Sequence, residues 1–362
     1  MPADRRGDRQ AALRRRLADA GLDALLVTYL PNVRYLTGFT GSAGMVLLDP
    51  VRTVLLTDPR YAVQAPAEVG ASAAVEIEPV SLWERLGTVL TAHRPSVLGF
   101  ERDHLTVRSA ERLAGLGLPR VEAAGGAVES LRQAKDPEEV DAIRAAASLA
   151  LEALETVLAT VRVGESERSV AARLEAELRQ LGSEWHPFQT IVASGPRSAL
   201  PHAGSSGRPI AAGDLLLLDF GAIVDGYCAD LTRTVVVGAE PDSRQQERYQ
   251  AVRTAQQTAI AGLRPGQSGQ EADRLARASL NSAGLGAAFR HSLGHGIGLE
   301  VHEDPRLAPT ADGLLPVGAV VTVEPGVYFE DWGGIRLEDD ILLTAHGPAL
   351  LSPGAPPLRV VP

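Results

Sequence analysis

The chain has 362 residues, of which 45% are hydrophobic and 22% charged, and its formal net charge is −10 at pH 7. This acidic balance argues against a nucleic-acid partner, and no apolar run approaches the roughly 18–20 residues that a membrane span requires. The N-terminal stretch MPADRRGDRQ has no hydrophobic signal region, and a single cysteine, Cys228, excludes an internal disulfide. We therefore expect a cytoplasmic protein of two domains in which Cys228 is a packed side chain.

The first third of the chain alternates helical and strand patterns. Leucines recur near helical spacing in QAALRRRLADAGL, and SLWERLGTVLTAH is a second helical stretch. The segments ALLVTYL, RTVLLTD and SVLGFE have the apolar character of short buried strands. The pattern predicts an α/β domain over residues 1–132.

A long helix is predicted to open a second domain, residues 133–362. Asp136 is its expected N-cap, Pro137 occupies the first helical position, and Glu139 follows three residues after the cap. The elements expected after it are a helix after Ser166, the strand IVAS, a hairpin, long helices after Ser243 and Gly269, and a final group of strands. Helices grouped between mixed strands favour an α+β fold. The Pro- and Gly-rich end, SPGAPPLRVVP, is predicted to be a surface tail.

The stretch LLLLDFGAIVDGYCADLTRTVVVG predicts a β-hairpin that carries two aspartates. Its Asp-Gly dipeptide at residues 225–226 favours a two-residue turn. With that turn, Asp219 faces Thr232 and lies on the same sheet face as Asp230. Such diagonal neighbours are roughly 7–8 Å apart at the backbone. The two carboxylates can therefore share a cation.

Three further metal-binding side chains are predicted after the hairpin. His295 lies in the glycine-rich loop LGHGIGLE, Glu324 at a strand end before Pro-Gly, and Glu338 on a strand in GGIRLEDDILLT. By the two-residue period of a strand, Arg336 and Asp340 share the face of Glu338. Glu338 or Asp340, taken singly, could belong to an internal ion pair instead.

The two aspartates and these three residues together predict a two-metal hydrolase site.

The segments Asp219-Phe-Gly, GYCADLTRT, GHGIGLEVHE, EPG and RLEDD resemble the pita-bread metallopeptidases and, within them, the Xaa-Pro aminopeptidases and prolidases. All five ligand positions match in type and order. The segments NVRYLTGFTGS and RQAKDPEEVDAIRAA resemble the N-terminal domain and junction of that group, so the resemblance covers nearly the whole chain. It implies an α+β pita-bread catalytic domain after a smaller α/β creatinase-type domain. One departure is Ala229, where many relatives have serine, and it is not a ligand position.

The resemblance also implies how metals are held. Asp219 would chelate one ion, His295 and Glu324 the other, and Asp230 and Glu338 would bridge both. An oxygen-rich donor set with one imidazole suits manganese, with cobalt or zinc as substitutes. The paired ions would lower the pKa of a bridging water to give hydroxide and would polarise the scissile carbonyl. Glu324 is the candidate proton shuttle to the leaving nitrogen.

Further catalytic residues are implied by matching positions in the same family. His202, in SALPHAGSS, and His302 would hold the substrate and stabilise the tetrahedral intermediate. Arg336 would orient the carboxylates, with Tyr227 as a possible support. The other histidines are interpreted as structural or surface residues, and they are His93, His104, His186, His291 and His346.

The fold alone leaves other functions open. Methionine aminopeptidases, creatinase and ligand-free binding proteins share it, but the five ligand-type residues and the front domain favour an Xaa-Pro peptidase. A methionine-type or other aminopeptidase and a non-catalytic peptide-binding module are the alternatives. The sequence leaves open whether substrates are strictly dipeptides or longer proline-containing peptides. The resemblance implies a homodimer in which the front domain limits substrate length.

Overall fold

The computed structural model describes residues 4–362 and divides into two compact units, with the boundary between Arg132 and Gln133. Within the described residues, every helix is too short or too polar to cross a bilayer. Each unit has its own sheet structure and its own buried apolar clusters.

The first unit is a mixed sheet with helices. In residues 4–132 the strands are β1 (Ala24–Val27), β2 (Gly44–Leu48), β3 (Thr53–Thr57), β4 (Ala74–Ile77), β5 (Val97–Glu101) and β6 (Arg120–Ala124). The helices there are α1 (Arg6–Asp19), α2 (Leu30–Thr37), α3 (Gln64–Val69), α4 (Leu82–His93), α5 (Val107–Ala114) and α6 (Glu129–Arg132).

The strands of this unit lie in the order β4-β3-β2-β1-β5-β6. β2 pairs antiparallel with both β1 and β3, whereas the other neighbouring pairs are parallel, so β2 alone runs against the direction of the other five strands. The expected strands at β1, β3 and β5 and the helices at α1 and α4 are confirmed. β2, β4 and β6 were not predicted from the sequence. β4 and β6 are edge strands with little full burial, which weakens their apolar signal.

The second unit has four longer helices and several short sheets. Its helices are α7 (Pro137–Leu158), α8 (Glu167–Gln180), α9 (Ser243–Gly262) and α10 (Gly269–Ser282). Its strands up to the hairpin are β7 (Ile191–Ser194), β8 (Leu215–Phe220), β9 (Ile223–Val224), β10 (Tyr227–Cys228) and β11 (Leu231–Val237). The later strands are β12 (Gly294–Gly296), β13 (Glu303–Leu307), β14 (Val320–Val323), β15 (Gly326–Phe329), β16 (Gly333–Arg336), β17 (Asp339–Thr344), β18 (Gly347–Leu350) and β19 (Val360–Val361).

Side-chain caps define where these helices begin. Asp136 accepts hydrogen bonds from the backbone N–H groups of residues 138 and 139, and the Glu139 side chain returns the capping box, as the sequence predicts. α8 is capped by Ser166. α9 and α10 begin at Ser243 and Gly269, one residue earlier than predicted, and their caps are Asp242 and Ser268. α7 and α8 pack on the sheet of β7, β8 and β11, while α9 and α10 pack on the sheet containing β14 and β17.

Two predictions for this unit are corrected. The Pro- and Gly-rich end is not a surface tail, because Val361 is buried and β19 pairs parallel with β11. Arg336 and Asp340 do not share one strand. The chain leaves the β15–β16 ribbon after Arg336 and joins β14 as β17 from Asp339, so Glu338 lies between two sheets and bridges to Thr232.

Candidate metal centre

The hairpin of β8 and β11 has the predicted register and carries the two aspartates. Both turn residues, Asp225 and Gly226, have positive φ angles of 48° and 74°, which is the type I′ geometry that Asp-Gly favours. Asp219 on β8 lies opposite Thr232 on β11. Asp230 lies in the gap between β10 and β11, and both aspartates are buried. The turn therefore fixes the register in which both aspartates are buried.

His295 lies on the short strand β12 rather than in the loop predicted from its glycines. A Cβ atom at Gly294 would stand 2.0 Å from the carbonyl oxygen of Thr322, so only glycine allows β12 to approach β14 this closely. The His295 backbone N–H donates to Thr322 Oγ1 over 3.1 Å. His295 Nδ1 is 3.0 Å from its neighbour's carbonyl oxygen, which makes Nδ1 the donor and leaves the lone pair on Nε2.

The remaining donors converge on that Nε2 atom. Glu324 follows β14 directly, and its Oε1 lies 3.5 Å from His295 Nε2. Asp230 Oδ2 lies 3.7 Å from the same nitrogen. One ligand atom from each of Asp230, His295 and Glu338 fits within a 4.8 Å cluster. Thr232 Oγ1 donates to Glu338 Oε2 over 2.6 Å and so fixes the orientation of that carboxylate.

Arg336 connects Asp219 to this cluster through hydrogen bonds. Its Nη2 donates to Asp219 Oδ2 over 2.5 Å, its Nε donates to Thr232 Oγ1 over 3.1 Å, and its Nη1 donates to Tyr328 Oη over 3.0 Å. Oδ1 of Asp219 and Oδ1 of Asp230 are buried without a hydrogen-bond partner among the described residues. Buried carboxylate oxygens are rarely left in this condition, so these two are free to bind a cation.

The buried charges repel one another strongly. Burial and the neighbouring carboxylate Glu338 raise the pKa of Asp230 well above its usual value, and burial with Glu324 does the same for Glu338. Burial raises the pKa of Glu324 to about 8. For His295, burial lowers the pKa to about 4, so the imidazole is neutral near pH 7 and can act as a ligand.

These residues fit a divalent metal centre. Carboxylate oxygens with one neutral imidazole are donors for divalent cations, and positive charge at this place would offset the repulsion. Cys228 does not contribute a thiolate, because burial raises the pKa of its thiol. The expectation that Cys228 is a packed side chain agrees with its burial in the core.

The two candidate substrate histidines lie near the cluster and are more exposed. The ring of His302 is 4.4 Å from that of His295. His202 follows Pro201, whose carbonyl oxygen accepts a hydrogen bond from Arg336 Nη1 over 3.3 Å. Burial raises the pKa of Asp219, and Arg336 opposes this effect, as positive charge on His202 or His302 would to a smaller extent.

Several residues near the centre differ from their sequence interpretation. Tyr227 donates its hydroxyl to Glu139 Oε1 over 2.8 Å, and the tyrosine that contacts Arg336 is Tyr328. Asp340 accepts from the backbone N–H of Asp230 over 3.2 Å and has a second oxygen, Oδ1, that is buried without a partner.

Sequence reasoning assigned no site role to His291 or Tyr328. His291 Nε2 is 2.9 Å from Tyr328 Oη, and its Nδ1 is 3.9 Å from Glu324 Oε2. The only signal in the sequence is closeness to ligand-type residues, since His291 precedes His295 by four positions and Tyr328 follows Glu324 by four. On isolated strands and loops such spacing does not predict a contact.

Two family models match the chain. Residues 141–345 match the metallopeptidase family M24, and residues 9–134 match the creatinase/prolidase N-terminal domain. The uncharacterized peptidase YqhT of Bacillus subtilis is 41% identical over 92% of this chain and 95% of its own.

Two solved structures are similar over nearly their full length. An Xaa-Pro dipeptidase from Bacillus anthracis has a TM-score of 0.95 and 38% identity, covering 98% of this chain and 100% of its own. An X-Pro aminopeptidase from Thermotoga maritima has a TM-score of 0.90 and 34% identity, covering 97% of this chain and 99% of its own. The expected fold, a pita-bread catalytic domain after a creatinase-type domain, is confirmed. The chain is therefore a metallopeptidase that belongs to family M24, in its prolidase and Xaa-Pro peptidase group.

Proposed function

We propose that this metallopeptidase holds two divalent ions and hydrolyses the Xaa-Pro bond of dipeptides or at the N-terminus of short peptides. The observation that carries the proposal is the set of buried carboxylates beside His295 Nε2, together with the oxygens Asp219 Oδ1 and Asp230 Oδ1, which are buried without a hydrogen-bond partner among the described residues. Likeness to proteins named as an Xaa-Pro dipeptidase and an X-Pro aminopeptidase supports the substrate class.

Within this proposal each donor has a place. Asp219 would hold one ion, His295 and Glu324 would hold the other, and Asp230 and Glu338 would contact both. The oxygen-rich set favours manganese, with cobalt or zinc as substitutes. Divalent ions bound here would supply a water of lowered pKa and polarise the scissile carbonyl.

Glu324 is the group proposed to move the proton. The nitrogen of an Xaa-Pro bond carries no hydrogen and must be protonated before it leaves. Burial raises the pKa of Glu324 to about 8 in the metal-free protein, and a bound ion would lower it again, so in the loaded site Glu324 would be a carboxylate that accepts a proton and passes it on. His291 Nδ1, 3.9 Å from Glu324 Oε2, flanks this carboxyl group.

Peptide assays test the substrate class. We expect the metal-loaded protein to hydrolyse Ala-Pro and to leave Ala-Ala intact. A site fitted to the pyrrolidine ring gains contacts with proline that the smaller alanine side chain does not offer, and it has no contact with a peptide N–H to replace them. The rate on Ala-Pro relative to Ala-Pro-Ala then separates a dipeptidase from an aminopeptidase. Faster cleavage of Met-Ala-Ala than of either proline peptide would contradict the proposal and favour a methionine-type aminopeptidase.

The histidines are predicted to differ in role. His295→Ala should lose metal, whereas His202→Ala and His302→Ala should retain it and lose rate by about 10²–10³-fold, as expected for loss of one donor to a developing oxyanion. Metal analysis of each variant, alongside its turnover of Ala-Pro, checks this division. A His302→Ala protein without metal would instead assign His302 to the ligand set.

We also propose that the protein works in the cytoplasm as a homodimer. Closed two-fold pairs are the commonest assemblies of soluble enzymes. The creatinase/prolidase N-terminal domain at residues 9–134 is proposed to assemble the dimer and limit substrate length. Light scattering on the intact chain tests the assembly, and a monomer at enzymatic concentrations would contradict it.

A further inference from the structure

A buried glutamate joins the two ends of the loop that carries His202. Glu167, the first residue of α8, is 0% exposed. Its Oε1 accepts from the backbone N–H and the hydroxyl group of Ser194, at the end of β7, over 2.8 and 2.9 Å. Its Oε2 accepts from the backbone N–H and the hydroxyl group of Ser206 over 3.0 and 2.7 Å. The chain on either side of His202 is therefore fastened to one carboxylate.

Arg197 extends this network into the loop itself. Its Nε donates to Glu167 Oε2 over 2.9 Å, and its Nη2 donates to the carbonyl oxygen of Gly204 over 2.6 Å. Because a guanidinium group presents its donors in a rigid plane, the bond to Glu167 also directs the bond to Gly204. Arg197 thus connects the buried carboxylate to the backbone two residues after His202.

Other bonds hold the loop on either side of this contact. Arg336 Nη1 donates to the carbonyl oxygen of Pro201 over 3.3 Å, and Ser205 Oγ accepts from a backbone N–H of β7 over 2.9 Å. Residues 200–207 form an irregular loop and are not part of a strand or helix. Between Pro201 and Ser205, the bond to Gly204 therefore fixes backbone that no sheet holds in place.

Glu167 keeps most of its hydrogen bonds if Arg197 is removed. Burial raises the pKa of Glu167, but its hydrogen bonds outweigh this effect and lower it, so the group is a carboxylate. Four of these five hydrogen bonds come from Ser194 and Ser206. The Arg197 side chain is 31% exposed, and ion pairs open to water contribute little to stability. The fold should therefore survive loss of the guanidinium group, and the effect should be local.

We propose that Arg197 is a positioning residue that holds His202 toward the metal centre through the carbonyl oxygen of Gly204. This inference rests on the substrate role proposed for His202. Arg197 touches neither substrate nor metal in this assignment. Because the His202 side chain is exposed, packing does little to place it, and the position of its ring depends on the backbone that carries it.

Arg197→Gln tests the proposal. The amide nitrogen of glutamine is bonded to Cδ, as Nε of arginine is, so a donor to Glu167 can remain while the donor to Gly204 is lost. We expect kcat on Ala-Pro to fall by about 10-fold, as a small misplacement of a catalytic group can cause, with metal content unchanged.

Arg208→Gln is the matched control. Arg208 is 27% exposed, pairs with Asp214 and donates to the hydroxyl group of Ser194, so it belongs to the same network and has nearly the same exposure as Arg197. Its contacts lie outside the His202 loop, and kcat should be unchanged. An equal loss of kcat in both variants would assign the effect to the network as a whole and overturn the proposal.

A double-mutant cycle with His202→Ala separates positioning from a general effect. In the His202→Ala background, Arg197→Gln should lower kcat further by less than about twofold, because the group that Arg197 positions is already absent. Losses that multiply in full would overturn the proposal, and so would an undiminished kcat in Arg197→Gln.

A crystal structure of the Arg197→Gln protein gives a readout that does not depend on turnover. His202 and Gly204 should be displaced or weakly ordered, while Ser194 and Ser206 stay bonded to Glu167. An unmoved loop would overturn the proposal. If His202→Ala itself keeps full kcat, the proposed function of His202 is wrong, whereas a slow His202→Ala with a fully active Arg197→Gln protein contradicts only the inference about Arg197.

Discussion

Chelation of the metals should abolish peptide hydrolysis and destabilise the protein, and added Mn²⁺ should reverse both effects. Ions that bind only the folded chain stabilise it by about 2.7 kcal/mol at 100 times their Kd. Without them, Asp230, Glu324 and Glu338 remain buried, and burial together with repulsion from neighbouring carboxylates raises their pKa values. Elemental analysis, activity on Ala-Pro and thermal unfolding before and after chelation would measure this.

The stabilisation by metal should also depend on pH in a defined direction. The pKa of Glu324 is about 8 in the folded metal-free protein and 4.5 as the ordinary value, so its contribution destabilises the metal-free fold progressively as pH rises from about 4.5 to about 8. Bound ions favour the ionised carboxylates, so metal affinity rises over the same range. His295, with a pKa of about 4, stays neutral there. The gain in unfolding temperature on adding Mn²⁺ should therefore be larger at about pH 8 than at about pH 5.5.

Full activity in protein that elemental analysis shows to be free of metal would contradict the two-metal proposal. A gain in unfolding temperature that shrinks as pH rises would contradict the assignment of these carboxylates as ligands.

Glu338→Ala should lose both ions and nearly all activity. Glu338 is proposed to contact both metals, and loss of several kcal/mol of transition-state stabilisation corresponds to roughly 10³-fold or more in rate. Asp230→Ala should behave in the same way. Asp219→Ala should retain more metal, since Asp219 is proposed to hold one ion only. Metal stoichiometry by elemental analysis, with kcat on Ala-Pro, distinguishes these cases.

Asp340→Asn is a matched control for this experiment. Asp340 is a buried acid two residues from Glu338, and asparagine retains an oxygen to accept the Asp230 N–H. It is outside the proposed ligand set, so both ions should remain bound. Equal metal content in Glu338→Ala and the parent protein would rule out bridging by Glu338.

Local patterns predicted the parts of the site that depend on turns, caps and strand register. The Asp-Gly turn placed Asp219 opposite Thr232, and the capping box placed the start of α7. Turns, caps and hairpin register depend on residues that are close together in the chain. A single sequence therefore contains the information needed to predict them.

Features that depend on distant packing could not be predicted in this way. The break between Arg336 and Asp339 arises because two sheets meet there, and the strand period alone predicts one continuous strand. The contact of Arg336 with Tyr328 joins strands of a ribbon whose pairing is visible only in the folded chain. For the same reason, the sequence interpretation assigned Tyr227, and not Tyr328, to the support of Arg336.

The two-residue strand β19 has a consequence for handling the protein. It occupies the outer side of β11, where the Val236 N–H donates to the Arg359 carbonyl oxygen and the Gly238 N–H donates to that of Val361. Trimming the chain by a few residues at this end would leave the apolar strand β11 as an open sheet edge, which is a template for intermolecular strand pairing and aggregation. Replacing Val361, which is buried against β11, should have the same effect.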